Sequence, residues 1–143
     1  MSNRTTPTLY PRPKPGDVVL CHFPQNLALP LPGPKPRPAL ILAASELERG
    51  GYDVTVCYGT SQAHRSYPWD FILDPIDNPS AFKRTGLVKR TRFDLSQLVT
   101  LSYDSTWFLV PELKPYGLTP RLGELQADVV PDLMKAIQAA KRK

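Results

Sequence analysis

Arg37 stands between two prolines in the run Lys35-Pro36-Arg37-Pro38-Ala39-Leu40. Each proline fixes its own φ and biases the residue before it towards an extended backbone. The side chain presented there is a permanently charged, planar fork that can clamp a phosphate through two parallel hydrogen bonds. An isolated arginine is most often a surface residue in a salt bridge, so its neighbours must decide. A second stretch, Tyr58-Gly59-Thr60-Ser61-Gln62, joins a glycine that permits close backbone approach to two hydroxyls and a primary amide. These groups can offer several donors to a phosphate, although a polar turn is their ordinary role. Lys83, Arg84, Lys89, Arg90 and Arg92 crowd a third short stretch. Side chains alternate along a strand, so Lys89 and Arg90 point opposite ways and only part of this cluster can share a face. Charged runs of this kind commonly protect a sheet edge.

His22 and His64 are the whole imidazole inventory and the best intrinsic acid–base groups. His64 follows Thr60 closely enough to reach the same site, though a structural or solvated ring is the commoner role for each. Cys21 and Cys57 lie in apolar runs and read as small buried hydrophobes rather than as a disulfide or metal pair. No Cys-x-x-Cys and no grouping of His with Cys or carboxylate has zinc spacing. Neither a metal nor a cofactor is therefore expected.

Eighteen basic residues against 13 acidic ones give the 143-residue chain a net charge of +5, which favours a polyanionic partner such as RNA or DNA. The 41% hydrophobic content can build one core, and 22% charged residues of mixed sign are too few for a wholly disordered chain. No apolar run approaches the roughly 20 residues that span a bilayer, and the N-terminus has no apolar stretch of a secretory signal. A cytoplasmic protein without a membrane segment is expected.

The elements that must position these residues are mostly strands. Residues 1–15 are polar and proline-rich and read as a flexible segment ahead of a single domain over 16–143. Strands are predicted over Val18–Phe23, Pro38–Ala43, Tyr52–Tyr58, Trp69–Leu73, Thr85–Arg90, Gln97–Tyr103 and Thr106–Val110, from short β-branched runs bounded by Gly and Pro. Ser45 to Arg49 reads as a helical turn ended by Gly50-Gly51. Residues 24–36 form a loop whose proline density excludes helix and sheet interior. Leu27, Ala28, Leu29 and Leu31 make that loop apolar, so it is either packed down or used for binding. At the C-terminus Asp128 can cap a helix with Pro131 in its first turn and Val130, Leu133, Met134 and Ile137 along one face. Several short strands without alternating helices predict a mainly β fold, a partly closed antiparallel barrel with a C-terminal helix.

In their order along the chain these pieces resemble the MazF/PemK family of toxins from type II toxin–antitoxin systems. The resemblance rests on Gly16-Asp17-Val18-Val19-Leu20, Arg37-Pro38-Ala39-Leu40-Ile41-Leu42 and Thr60-Ser61-Gln62. Thr85-Gly86-Leu87-Val88-Lys89 and Leu122-Gly123-Glu124-Leu125 support it. It spans roughly residues 14 to 140, and the chain looks like a diverged branch. The resemblance implies an SH3-like barrel assembled as a homodimer and a metal-independent endoribonuclease acting on single-stranded RNA. It also implies a cognate antitoxin that blocks the RNA groove. The family's catalytic arginine falls on Arg37 and its catalytic threonine on Thr60. Ser61, Gln62, Lys35 and Lys89 are expected to bind substrate, with His64 and His22 as acid–base groups. The apolar loop 24–36 and the stretch Thr91-Arg92-Phe93-Asp94 depart from the family pattern. Two non-catalytic alternatives use the same fold: a gyrase-poisoning protein like the CcdB toxins, and a nucleic-acid-binding scaffold.

Overall fold

Short runs rich in Val, Ile, Leu and Thr favour strands because branched side chains pack well on a pleated surface. The computed structural model describes residues 6–28, 31–62 and 66–142. In chain order it contains β1 (Asp17–Cys21), β2 (Arg37–Glu46), β3 (Tyr52–Thr60), β4 (Asp70–Leu73), α1 (Pro79–Thr85), β5 (Thr91–Ser102), β6 (Arg121–Glu124) and α2 (Val130–Lys141), with a 3₁₀ turn at Ala127–Val129. Among the described residues the strands form one six-stranded sheet in the order β4-β5-β3-β2-β1-β6. Every neighbouring pair is antiparallel. Register shifts interrupt the β1–β6, β2–β3 and β3–β5 ladders. Each such bulge bends its strand and adds twist, and the sheet curls into the expected partly closed barrel with a C-terminal helix.

Alternation along the strands produces a core on each face. Val18, Leu40, Cys57, Phe71, Leu73 and Phe93 pack on one side beneath Phe82 of α1 and Leu133 and Ala136 of α2. Val19, Cys21, Ala39, Ile41, Val56, Tyr103 and Phe108 pack on the other. Cys21 and Cys57 are thus buried free thiols in separate cores. β5 serves both faces: Phe93 and Leu95 belong to the helix-side core, whereas Val99 and Leu101 belong to the opposite one. A regular strand would keep these odd-numbered residues on one face, so the bulge opposite Tyr58 switches sides.

Several predicted elements are corrected. Thr85–Arg90 is not a strand. Asn78 and Pro79 start a helix that buries Ala81, Phe82 and Thr85, and Gly86 ends it at φ 74°. Gly86 packs so tightly that a Cβ there would lie 2.2 Å from the Leu122 carbonyl oxygen. The β-branched Val88 that favoured a strand is 89% exposed in the loop beyond. Gln97–Tyr103 is the second half of the longer β5. Thr106–Val110 only flanks β1, through a bridge from Cys21 to Phe108. β2 runs on to Glu46, so Ser45 to Arg49 is strand end and turn, with Gly50 and Gly51 at positive φ. Arg121–Glu124, which lacks a β-branched residue, is an edge strand paired with β1.

Towards the C-terminus, Asp128 sits inside the 3₁₀ turn, and no side chain caps α2. Val130 and Met134 are exposed, while Leu133, Ala136, Ile137 and Ala140 face the core. Ahead of β1, Tyr10 is buried, and its hydroxyl donates to the Phe108 carbonyl at 3.2 Å. No helix among the described residues is long and apolar enough to cross a membrane.

Candidate functional site

Arg37 opens β2 and Thr60 closes β3. The β2–β3 ladder pairs Ala39 with Tyr58, and the same register carried outward sets Arg37 opposite Thr60. On the other side of β3, Thr60 pairs with Arg92 of β5. A guanidinium, a hydroxyl and a second guanidinium therefore form a row across three adjacent strands. Neighbouring strands lie about 5 Å apart, close enough for side chains in such a row to reach one small anion.

This row lines a cleft of about 530 Å³. Phe23, Pro24, Gln25 and Leu27 form one wall, Tyr58 and Gln62 contribute from β3 and the residues after it, and Arg92, Asp94 and Gln97 come from β5. The cleft continues the face of the sheet opposite α1 and α2, since Arg37, Tyr58 and Thr60 share strand parity with Ala39 and Val56 of that core. Gly59 makes the close strand approach possible. A Cβ there would lie 2.6 Å from Thr91 Cγ2 and 2.8 Å from the Phe93 ring.

Charge in the cleft is held from behind. The Arg92 side chain is only 8% exposed, and its Nη1 donates to Asp70 Oδ1 at 3.3 Å. Arg92 Nε is buried without a hydrogen-bond partner. An unpaired buried donor is costly. Asp94 is buried, and its Oδ1 accepts from the Ser96 N–H at 2.9 Å and the Ser96 hydroxyl at 2.6 Å. Thr60 Oγ1 accepts from the Gln62 N–H at 3.1 Å, which folds the chain back so that Gln62 faces the cleft.

The site residues expected from sequence divide three ways. Arg37, Thr60 and Gln62 come together in the cleft. Ser61, Lys35 and Lys89 are exposed and do not line it; Lys89 lies in the loop after α1 rather than on a strand. His22 also stands outside the lining. Its Nδ1 donates to the Gly33 carbonyl at 3.1 Å, while the Gly33 N–H donates to the His22 carbonyl at 3.0 Å. That double tie closes the neck of the loop bearing Gln25 and Leu27, a structural role for the imidazole. His64 lies outside the described residues. Sequence reasoning counted Arg92 only as part of a basic cluster and assigned no role to Asp94, Gln97 or Gln25. The Arg92-x-Asp94 alternation, which puts a cation and a carboxylate on one strand face, was the available signal. Among the described residues no three His, Cys, Asp or Glu side chains group as metal ligands would.

A profile of the PemK-like, MazF-like toxins of type II toxin–antitoxin systems matches residues 14–140. The fold is similar to that of the Mycobacterium tuberculosis toxin MazF-mt6, with 20% identity, a TM-score of 0.54, and 86% of this chain and 96% of that one covered. It is also similar to a mycobacterial endoribonuclease solved with its cognate antitoxin, at 19% identity and a TM-score of 0.56, covering 92% of this chain and 96% of that one. A further mycobacterial endoribonuclease aligns at 20% identity and a TM-score of 0.51 over 91% of each chain. No curated protein sequence matches significantly.

Proposed function

The chain belongs to the PemK-like, MazF-like toxins of type II toxin–antitoxin systems, and we propose that it is an endoribonuclease that cuts single-stranded RNA without a metal ion. The observation that carries this reading is the row Arg37, Thr60 and Arg92 facing one cleft. A gyrase-binding role calls for no such convergence of two guanidiniums and a hydroxyl.

In the proposed reaction the ribose 2′-oxygen attacks the adjacent phosphorus. The new 2′-O–P bond forms as the P–O5′ bond breaks, which leaves a 2′,3′-cyclic phosphate. Negative charge builds on the non-bridging oxygens, and preorganised donors aimed at that charge lower the barrier most. Arg37 and Arg92 supply charged donors, and Thr60 supplies a hydroxyl between them. Holding the 2′-oxygen in line with the leaving group contributes separately.

The 2′-hydroxyl proton needs an acceptor, and a permanently protonated arginine is a poor one. Asp94 is the carboxylate lining the cleft, so we assign it this task ahead of His22, which stands outside that lining. His64, just beyond Thr60 in the chain, is the alternative acceptor. The departing 5′-oxygen takes its proton from solvent. We further propose that Ser61, Gln62, Lys35 and Lys89 guide flanking RNA, that the toxin acts as a homodimer, and that a cognate antitoxin covers the cleft. The solved toxin–antitoxin complex among its structural relatives supports the last point.

A direct test replaces the 2′-hydroxyl at the cut site with 2′-O-methyl. That RNA is expected to resist cleavage while unmodified RNA is cut in EDTA. A requirement for magnesium would contradict the mechanism.

A further inference from the structure

Gln97 breaks the parity of its strand. Residues three apart on a regular strand face opposite ways, yet Asp94 and Gln97 both line the cleft. The cause is the bulge in β5, where the register steps from Gly59 opposite Phe93 to Cys57 opposite Leu98. The two hydrogen bonds from Ser96 to Asp94 hold that bulge in shape. Bulges re-aim side chains beside active sites. Without this one, Gln97 would share the helix-side face of Phe93 and Leu95; with it, the primary amide stands on the same face as Arg92. Across the cleft Phe23 and Tyr58 lie ring to ring, with centroids 5.2 Å apart and planes at 35°. Gln25 brings a second amide to the same cleft, on the loop whose neck His22 and Gly33 close.

These features divide the cleft by chemistry. The guanidinium row suits a phosphate. An aromatic wall suits the face of an unstacked base but accepts any base, because every base has a π-face. A primary amide sets a donor beside an acceptor and can pair bidentately with a base edge, which is how glutamine reads sequence.

We propose that Gln97, re-aimed by the β5 bulge, selects one base of the RNA beside the scissile phosphate. The base stacks against Phe23 and Tyr58 while Gln97 pairs with its edge and Gln25 assists. This rests on the ribonuclease reading above and adds its specificity determinant. Gln97 is exposed on its strand, so changing it leaves the cores intact.

The test maps every cut made in a long unstructured RNA by the wild-type protein, Gln97→Leu, Gln97→Glu and Gln25→Leu. Wild type is expected to prefer one base at a single position beside the cut. Gln97→Leu is expected to lower that preference about fivefold or more, since a well-made bidentate pair discriminates by at least that factor. Preferences elsewhere in the site stay as they were. Gln97→Glu, which keeps the length but offers only acceptors, is expected to favour bases with an exocyclic amino group at that position. Gln25→Leu is expected to weaken the same position to a smaller degree. Active variants that keep the wild-type preference at every position would overturn the assignment while leaving the ribonuclease reading intact. Wild-type protein that cuts no RNA would overturn that reading and this one with it.

Discussion

Thr60 at the end of β3 pairs directly with Arg92 of β5, and Arg92 in turn leans on Asp70 of the edge strand β4. The hydroxyl is thereby set one strand away from a guanidinium whose orientation a carboxylate fixes from behind. A guanidinium loses much rotamer freedom when it docks an anion, and a partner already holding it reduces that cost. Arg37 has no ion pair among the described residues and gains its restraint from the flanking prolines instead.

The difference between the two arginines is measurable. Arg37→Ala should lower cleavage by about a hundredfold to a thousandfold, the usual cost of one oxyanion donor, and leave the melting temperature nearly unchanged, since Arg37 is exposed. Arg92→Ala should lower cleavage to a similar extent and also lower the melting temperature, because it removes a buried guanidinium that pairs with Asp70. Thermal melts beside single-turnover cleavage would separate the two effects. Equal melting temperatures for both variants would contradict the assignment of Arg92 as a braced residue.

Gly59 allows β3 and β5 to approach beside the site, with Thr91 and Phe93 occupying the space a side chain would need. Gly59→Val should therefore cost about 2 kcal/mol or more by overpacking. Denaturant unfolding would show it as a lower midpoint with an unchanged slope. A neutral Gly59→Val would mean that the strands separate more easily than their packing implies.

Much of this arrangement was legible from residue types. Arg37 between prolines, and Thr60 with Gln62 after Gly59, stood out because their chemistry is local and their backbone restraints are visible in the chain. The first four strands emerged for the same reason, being short, β-branched and bounded. Three features escaped because long-range contacts decide them. The strand-like Thr85–Arg90 run is instead the end of a helix and the loop after it, because Ala81 and Phe82 of that helix bury in the helix-side core. Arg121–Glu124 is a strand only because β1 offers it a partner. Gln97 gains its place from a bulge, and a bulge leaves no mark in composition; it shows only as a switch of face between Leu95 and Val99.

The two thiols should behave as structural residues. Burial pushes the Cys21 thiol up to about 12. Burial, reinforced by the nearby Asp94 charge, raises Cys57 further. Thiolate is the reactive form, so native protein should resist alkylation near pH 8, while denatured protein should take up label at both positions. Fast labelling of the native protein would show that one of the cores opens readily.

Acid should weaken the corner where the N-terminal segment, α1 and β6 meet. Hydrogen bonds from Arg84 and Lys14 hold the Glu124 carboxyl below its ordinary value. Its folded pKa is depressed, so its contribution is fully present above the unfolded value and is lost as pH falls through the folded one. Glu124→Gln should lower stability at neutral pH and flatten the loss of stability below about pH 5. A variant whose acid profile overlays that of the wild type would show that this cluster contributes nothing measurable.

The most direct test of the central claim is incubation of a long unstructured RNA with purified protein in EDTA, beside Arg37→Ala, with the new ends mapped chemically. Discrete cuts ending in 2′,3′-cyclic phosphate, absent with a folded Arg37→Ala protein, are the predicted result. Intact RNA with a well-folded wild-type protein, or undiminished cutting by the variant, would contradict the account.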